Sequence, residues 1–233
     1  MIIKDYLKRI ENTNYDLMWA RVWDDTRRGI RWLDDLPSIS PGRWAVGYNY
    51  IYVMTRVLDA VEPCKVLEMG LGISSTLISC YFRGSSAESH KHTIIEHNKE
   101  WIDFYTKKNS LSDCTDIVLT NCEEKVYKKH KYHAYENFKN IIGHEKYEVI
   151  SIDGPYGSDR YSRRDIVDCL PEILEEKFVI IMDDTHRKGE QDTLKEIESV
   201  LAQNRIKYIY AWYPGLTGCS LICSENYSFL KSL

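Results

Sequence analysis

The chain has no stretch of about 18 uncharged apolar residues, so no segment is expected to cross a bilayer and no membrane partner is expected. It has no Cys-x-x-Cys pair. Its 7 cysteines are scattered, Cys219 and Cys223 being the closest, and their number is odd. That argues against a zinc ribbon and against a secreted disulfide framework; reduced thiols in a cytoplasmic protein are the simpler expectation. A basic excess is missing too. The formal net charge is -4, whereas a general nucleic-acid binder usually carries a cationic surplus. The first residues, Met1 to Arg9, are charged and amphipathic and lack the apolar run of a signal peptide. There is no internal repeat and no low-complexity segment.

What is present suits a globular α/β protein. A length of 233 residues with 43% hydrophobic content supports one large domain, or one domain with an appendage. Residues 1 to 35 look helical but broken. Pro37, Pro41 and Gly42 make residues 36–42 a loop, and a helix is expected over 43–61, stopped by Pro63. Residues 1–60 therefore read as an N-terminal helical extension, a cap or lid in which Trp44 and Tyr48 close over the remainder, and residues 61–233 as the main domain. From there strands and helices alternate. Strands are expected at 65–69, 92–96, 116–120, 147–153 and 178–183, and helices at 74–82, 99–108, 164–175 and 190–203. Residues 121–144 read as charged and irregular, helical in part. A terminal hairpin is expected over 207–212 and 219–223. Nearly all-apolar strands alternating with helices indicate a doubly wound, mostly parallel sheet covered on both faces, with an antiparallel edge hairpin.

In such a sheet ligands bind beyond the carboxyl ends of the strands. The first strand delivers Glu68 and a tight turn with Gly70 and Gly72, followed by Ser74 at the head of a helix. A glycine turn brings bare backbone and a helix N-terminus close to a ligand. The second strand ends in Glu96, where a carboxylate can hold ribose hydroxyls, and the third leads to Asn121, Cys122 and Glu123. The fourth delivers Asp153 and Tyr156; the fifth delivers Asp183, Asp184 and His186. Acids crowded at one edge repel one another unless they bind hydroxyls, amines or a metal. The turn lacks the third glycine of the dinucleotide fingerprint, Ser75 standing there, and Glu68 would oppose a diphosphate but welcome a cationic aminoacyl group.

Val66-Leu67-Glu68-Met69-Gly70-Leu71-Gly72 and Ile94-Ile95-Glu96 resemble the first two motifs of class I S-adenosylmethionine-dependent methyltransferases, over roughly residues 60 to 223. The resemblance implies a Rossmann-like seven-stranded sheet with S-adenosyl-L-methionine as cofactor. It puts Gly70 and Gly72 near the methionine part, Glu96 on the ribose and Asn121 to Glu123 near the adenine. Together with Ile152-Asp153-Gly154-Pro155-Tyr156-Gly157 and Met182-Asp183-Asp184-Thr185-His186-Arg187, the motifs are also similar to glucuronoxylan-type O-methyltransferases, which methylate sugar hydroxyls. The chain departs from that group in its N-terminal extension and in the residues before His186.

On the acceptor side Asp153, Asp183, Asp184 and His186 are candidates to hold Mg²⁺ or Mn²⁺, which would orient an acceptor hydroxyl and lower its pKa. Without a metal, Asp153 or His186 is a candidate general base, with Asp183 beside them. Arg160, Arg163 and Arg164 either clamp an anionic acceptor, such as a uronate, or neutralise nearby acids. The expectation is an O-methyltransferase with a small polar acceptor, anionic or sugar-like, and a homodimer is open. The alternatives are a nicotinamide-dependent oxidoreductase and a non-catalytic nucleoside-binding module.

Overall fold

A computed structural model describes residues 2–42, 44–85 and 89–232. Two helices, α1 (Ile2–Arg27) and α2 (Tyr48–Val61), precede the alternating part. There follow β1 (Lys65–Met69), α3 (Ile73–Gly84), β2 (Lys91–Glu96), α4 (Lys99–Lys108) and β3 (Thr115–Leu119). A hairpin of β4 (Cys122–Tyr127) and β5 (His130–Tyr135) leads to a short α5 (Phe138–Ile142). The chain closes with β6 (Tyr147–Ile152), β7 (Leu174–Met182), α6 (Lys188–Gln203), β8 (Tyr208–Tyr213) and β9 (Cys219–Ser224).

Seven strands form one sheet in the order β3-β2-β1-β6-β7-β9-β8, and β4-β5 stand apart as a two-stranded ribbon. The first five strands of that order are parallel. The antiparallel member is β9, inserted between β7 and the edge strand β8. Chain order reverses at β1, which has β2 on one side and β6 on the other, so a crevice opens beyond their carboxyl ends.

Successive strand residues face opposite layers. Val66, Val149 and Val179 join Tyr50, Met54 and Ile78 from α2 and α3 in one core, while Leu67, Ile150 and Ile180 join Ile166, Leu194 and Ile197 in the other. α1 reaches the first core through Trp19 and Trp23, spaced one turn apart; the Trp23 indole donates to Thr55 Oγ1 (3.2 Å) and that of Trp19 to the Pro214 carbonyl (2.6 Å). Among the described residues no helix is long and apolar enough to cross a membrane, and the seven cysteines are unpaired.

Four segments differ from expectation. α1 is unbroken to Arg27, and the break comes at Gly29 before a 3₁₀ turn at Arg31–Leu33. α2 starts at Tyr48 because Gly42 and Ala45 close a turn, the Ala45 amide donating to the Gly42 carbonyl (3.2 Å); Arg43 lies outside the described residues. Residues 122–135 are a hairpin, not a partly helical segment. Its two-residue turn, Lys128-Lys129, has φ of +46° and +69°, the primed-turn conformation usually supplied by Asn-Gly. The helix expected over 164–175 is a six-residue 3₁₀ segment, Arg164–Cys169, and β7 already begins at Leu174. Pro171 cannot continue a helix. A further 3₁₀ segment, Glu225–Ser232, follows β9 and buries Leu230.

Candidate active site

The crevice is built from backbone first. The Met69 carbonyl at the end of β1 accepts the amides of Asp153 (2.9 Å) and Gly154 (2.6 Å), tying the ends of β1 and β6 together. Gly70 follows with φ of +99°, and a Cβ there would lie 3.0 Å from the Gly154 nitrogen. Only glycine satisfies both the dihedral and the contact. At Gly72 a Cβ would meet nothing within 4 Å, so this backbone borders open space. Ser75, at the position of the missing third glycine, caps α3: its Oγ accepts from the Gly72 amide (3.0 Å).

Glu96 ends β2. Its Oε2 accepts from the Leu71 amide (3.0 Å) and its Oε1 from the amides of His97 (2.7 Å) and Asn98 (2.8 Å). Burial pushes this carboxyl up, but the His97 side chain and the three amides outweigh it, and the pKa lies below the usual value. Asn98 Oδ1 caps α4 through the Trp101 amide (3.0 Å), and the Trp101 indole donates to the Leu71 carbonyl (2.7 Å).

These groups wall a cleft of about 610 Å³. Gly72, Ser74, Glu96, Asp153 and Tyr156 line it, as do Leu71, His97, Asn98, Trp101 and Tyr105, together with Trp44 and Val46 from the segment before α2. Trp44 is 98% exposed there. Tyr48 lies instead against Trp23, with ring centroids 6.1 Å apart. Tyr156 stands edge-on to His97, centroids 4.3 Å apart. His97, Asn98 and Trp101 are lining residues that reasoning from strand ends passed over, because they follow Glu96 rather than end a strand.

Glu68 does not reach this wall. It is fully buried under the glycine turn, with Oε2 3.0 Å from His92 Nε2, and His92 in turn meets Thr115 Oγ1 (3.2 Å). Asn121 is at the root of the β4-β5 hairpin, where its side chain donates to Glu136 (2.9 Å), and it is not part of the cleft lining.

Beyond Asp153 lies an acidic centre. Single oxygens of Asp153, Asp183 and Asp184 fall within 4.8 Å of one another. Arg163 enters it from the preceding loop: Nη2 is 3.2 Å from Asp153 Oδ1 and 2.9 Å from Asp184 Oδ2, and Nη1 donates to the Asp183 carbonyl (3.1 Å). Arg187 also pairs with Asp184 (2.8 Å). Burial raises the Asp153 pKa to about 6, with Arg163 pulling it down and Asp184 and Glu68 pushing it up. Burial raises Asp183 well above the carboxylate range, the neighbouring Asp153 and Asp184 adding to the effect. A divalent cation held by these three carboxylates would have to share its place with the guanidinium, and in this arrangement the residues do not fit one.

The other two arginines are engaged elsewhere. Arg160 pairs with Asp192 on α6. Arg164 pairs with Asp168 (2.8 Å) and Glu196 (3.3 Å) and lies 3.7 Å over the Tyr127 ring. Both neutralise nearby acids, and neither lines the cleft. His186 Nδ1 accepts the Gly218 amide (3.2 Å), which leaves a neutral ring with its proton on Nε2. Partial burial lowers its pKa, although the residue remains exposed. In that form it is a donor and not the base expected of it.

The fold can now be compared with known proteins. No protein-family model matches the chain, and no curated protein matches its sequence. Solved structures do match. An O-methyltransferase from Bacillus cereus in complex with SAH superposes with a TM-score of 0.54 at 14% identity, over 97% of this chain and 98% of the other. The SAH-bound methyltransferase PaMTH1 from Podospora anserina gives 0.51 at 14%, over 97% and 96%. An O-methyltransferase from Streptomyces achromogenes involved in tomaymycin synthesis, in complex with SAM, gives 0.51 at 11%, over 82% of each chain. The chain has the Rossmann-like methyltransferase fold. At these identities the likeness extends to the fold alone.

Proposed function

We propose that the chain is an S-adenosylmethionine-dependent methyltransferase that methylates a hydroxyl of a small polar acceptor. The observation that carries the reading is Glu96: a carboxylate held ionised by three amides on the wall of a ligand-sized cleft, beside the open backbone of Gly72. Gly70, Gly72 and Ser74 take the methionine part and Glu96 the ribose. His97, Asn98 and Trp101 take the adenine end in place of Asn121, which is occupied by Glu136. Glu68 supports the turn from beneath through His92.

Bound S-adenosylmethionine supplies an electrophilic methyl group on a sulfonium. With the donor bound, transfer to an acceptor oxygen would break the methyl–sulfur bond and leave a neutral thioether, and Asp153 would take the hydroxyl proton. Asp153 is the acid of the centre that borders the cleft, and its raised pKa suits a base. The three clustered carboxylates are the set a divalent metal would use, but the Arg163 guanidinium stands among them. Trp44 and Tyr156 in the lining favour a ring-bearing acceptor, sugar-like among them, and Ser40, Trp44, Ala45 and Val46 act as the cover of the site. An anionic acceptor loses support because Arg160 and Arg164 are paired off. Seven unpaired thiols favour a cytoplasmic setting.

Calorimetry tests the reading. SAH is expected to bind, and Glu96→Ala to weaken it by about tenfold or more, equivalent to about 1.4 kcal/mol. Tight binding of NAD with none of SAH or S-adenosylmethionine would establish the oxidoreductase alternative instead.

A further inference from the structure

The acids at the ends of β6 and β7 are already provided with a cation. We infer that the Arg163 guanidinium, rather than a divalent metal, is the fixed counter-charge of the Asp153–Asp183–Asp184 centre. The methyl transfer proposed above therefore runs without a metal. The second part rests on the methyltransferase reading; the first rests on geometry.

One nitrogen, Nη2, lies between two of the three carboxylates, 3.2 Å from Asp153 and 2.9 Å from Asp184. The neighbouring Nη1 bonds the Asp183 carbonyl at 3.1 Å, and Nε faces Glu190 Oε1 at 4.0 Å. The guanidinium thus touches every residue of the set. Asp183 is reached only through its main chain, and its Oδ1 is buried with no partner among the described residues. A guanidinium does not deprotonate in a protein, so it cannot yield its charge to an incoming metal. A metal on these oxygens would stand in direct contact with it, like charge against like.

Nor can Arg163 readily withdraw. It is 3% exposed, and the loop that carries it is clamped to α6. The Ser162 amide donates to the Gly189 carbonyl (3.2 Å), and Thr193 Oγ1 donates to the Ser162 carbonyl (2.6 Å). At Gly189 a Cβ would lie 2.1 Å from the Ser158 carbonyl oxygen, so loop and helix meet backbone to backbone.

Manganese paramagnetic resonance on chelator-treated native protein decides the point. The free Mn²⁺ signal is expected to keep its full height when equimolar native protein is added. In Arg163→Gln, which vacates the position, a stoichiometric part of the signal is expected to disappear, and Asp184→Asn in that background to restore it. Stoichiometric loss with the native protein, abolished by Asp184→Asn, would overturn the inference; so would a folded Arg163→Gln that leaves the signal intact. If Arg163→Gln fails to fold, the native titration decides alone. SAH calorimetry on the same native sample keeps the two readings apart: absent SAH binding sinks the methyltransferase reading and leaves the manganese result standing.

Discussion

Asp153 is pulled two ways. Burial and the neighbouring acids favour its neutral form, and Arg163 favours its charge; the balance lies near pH 6. Its side chain is 28% exposed, so solvent moderates both pulls. A base must be ionised to accept a proton, so kcat/KM is expected to climb about tenfold per pH unit below about 6 and to level off above it. A pH–rate profile flat across that range would remove Asp153 from the role. At this scale the sequence was legible where chemistry sits at a strand end: Gly72, Glu96, Asp153 and Tyr156 all line the cleft. It misled where a charged residue has a partner far along the chain. Glu68 is taken by His92, 24 residues away, and Arg160 by Asp192 on α6, 32 residues away, while Arg164 divides between Asp168, four residues on, and Glu196 of α6. Local spacing does not reveal such partners.

At the scale of elements, the joint of β1 and β6 depends on Gly70. Alanine there would have to adopt a φ near +99° and bring its methyl group 3.0 Å from the Gly154 nitrogen. Gly70→Ala is expected to cost about 1–3 kcal/mol of stability through backbone strain, read from urea denaturation, and to weaken SAH binding as well. A loss below about 0.5 kcal/mol, within the range of an ordinary surface change, would mean the turn relaxes freely. The parallel strands were legible because apolar runs bounded by turn residues have few other readings. The β4-β5 hairpin was not. Its strands are laden with Lys, Glu and His, and its Lys-Lys turn carries no glycine or asparagine to mark it. The start of β7 was hidden likewise, since Leu174 to Lys177 reads as helix-forming sequence until Pro171 is given its weight.

Across the whole molecule, the N-terminal helices belong to the same core as the sheet. Trp23 is 7% exposed and its indole nitrogen meets Thr55; Tyr50 of α2 reaches Ser151 of β6 at 2.6 Å. Trp23→Ala is expected to cost about 3–5 kcal/mol in global unfolding, with one cooperative transition. Loss of α1 in a separate early step, leaving the sheet's transition unchanged, would show instead an appendage independent of the domain. The expected boundary near residue 60 was a boundary of pattern, where helical periodicity gives way to alternation, and periodicity does not report which layers share a core.

The Met69 carbonyl that accepts two amides has one more meaning. It makes the distance between the glycine turn and Asp153 a property of main chain, set without any side chain. Donor and acceptor sides are in effect the two ends of one ruler. On the proposed methyltransferase reading, a change at Tyr156 alters what the cleft admits while the spacing between glycine turn and Asp153 stays constant.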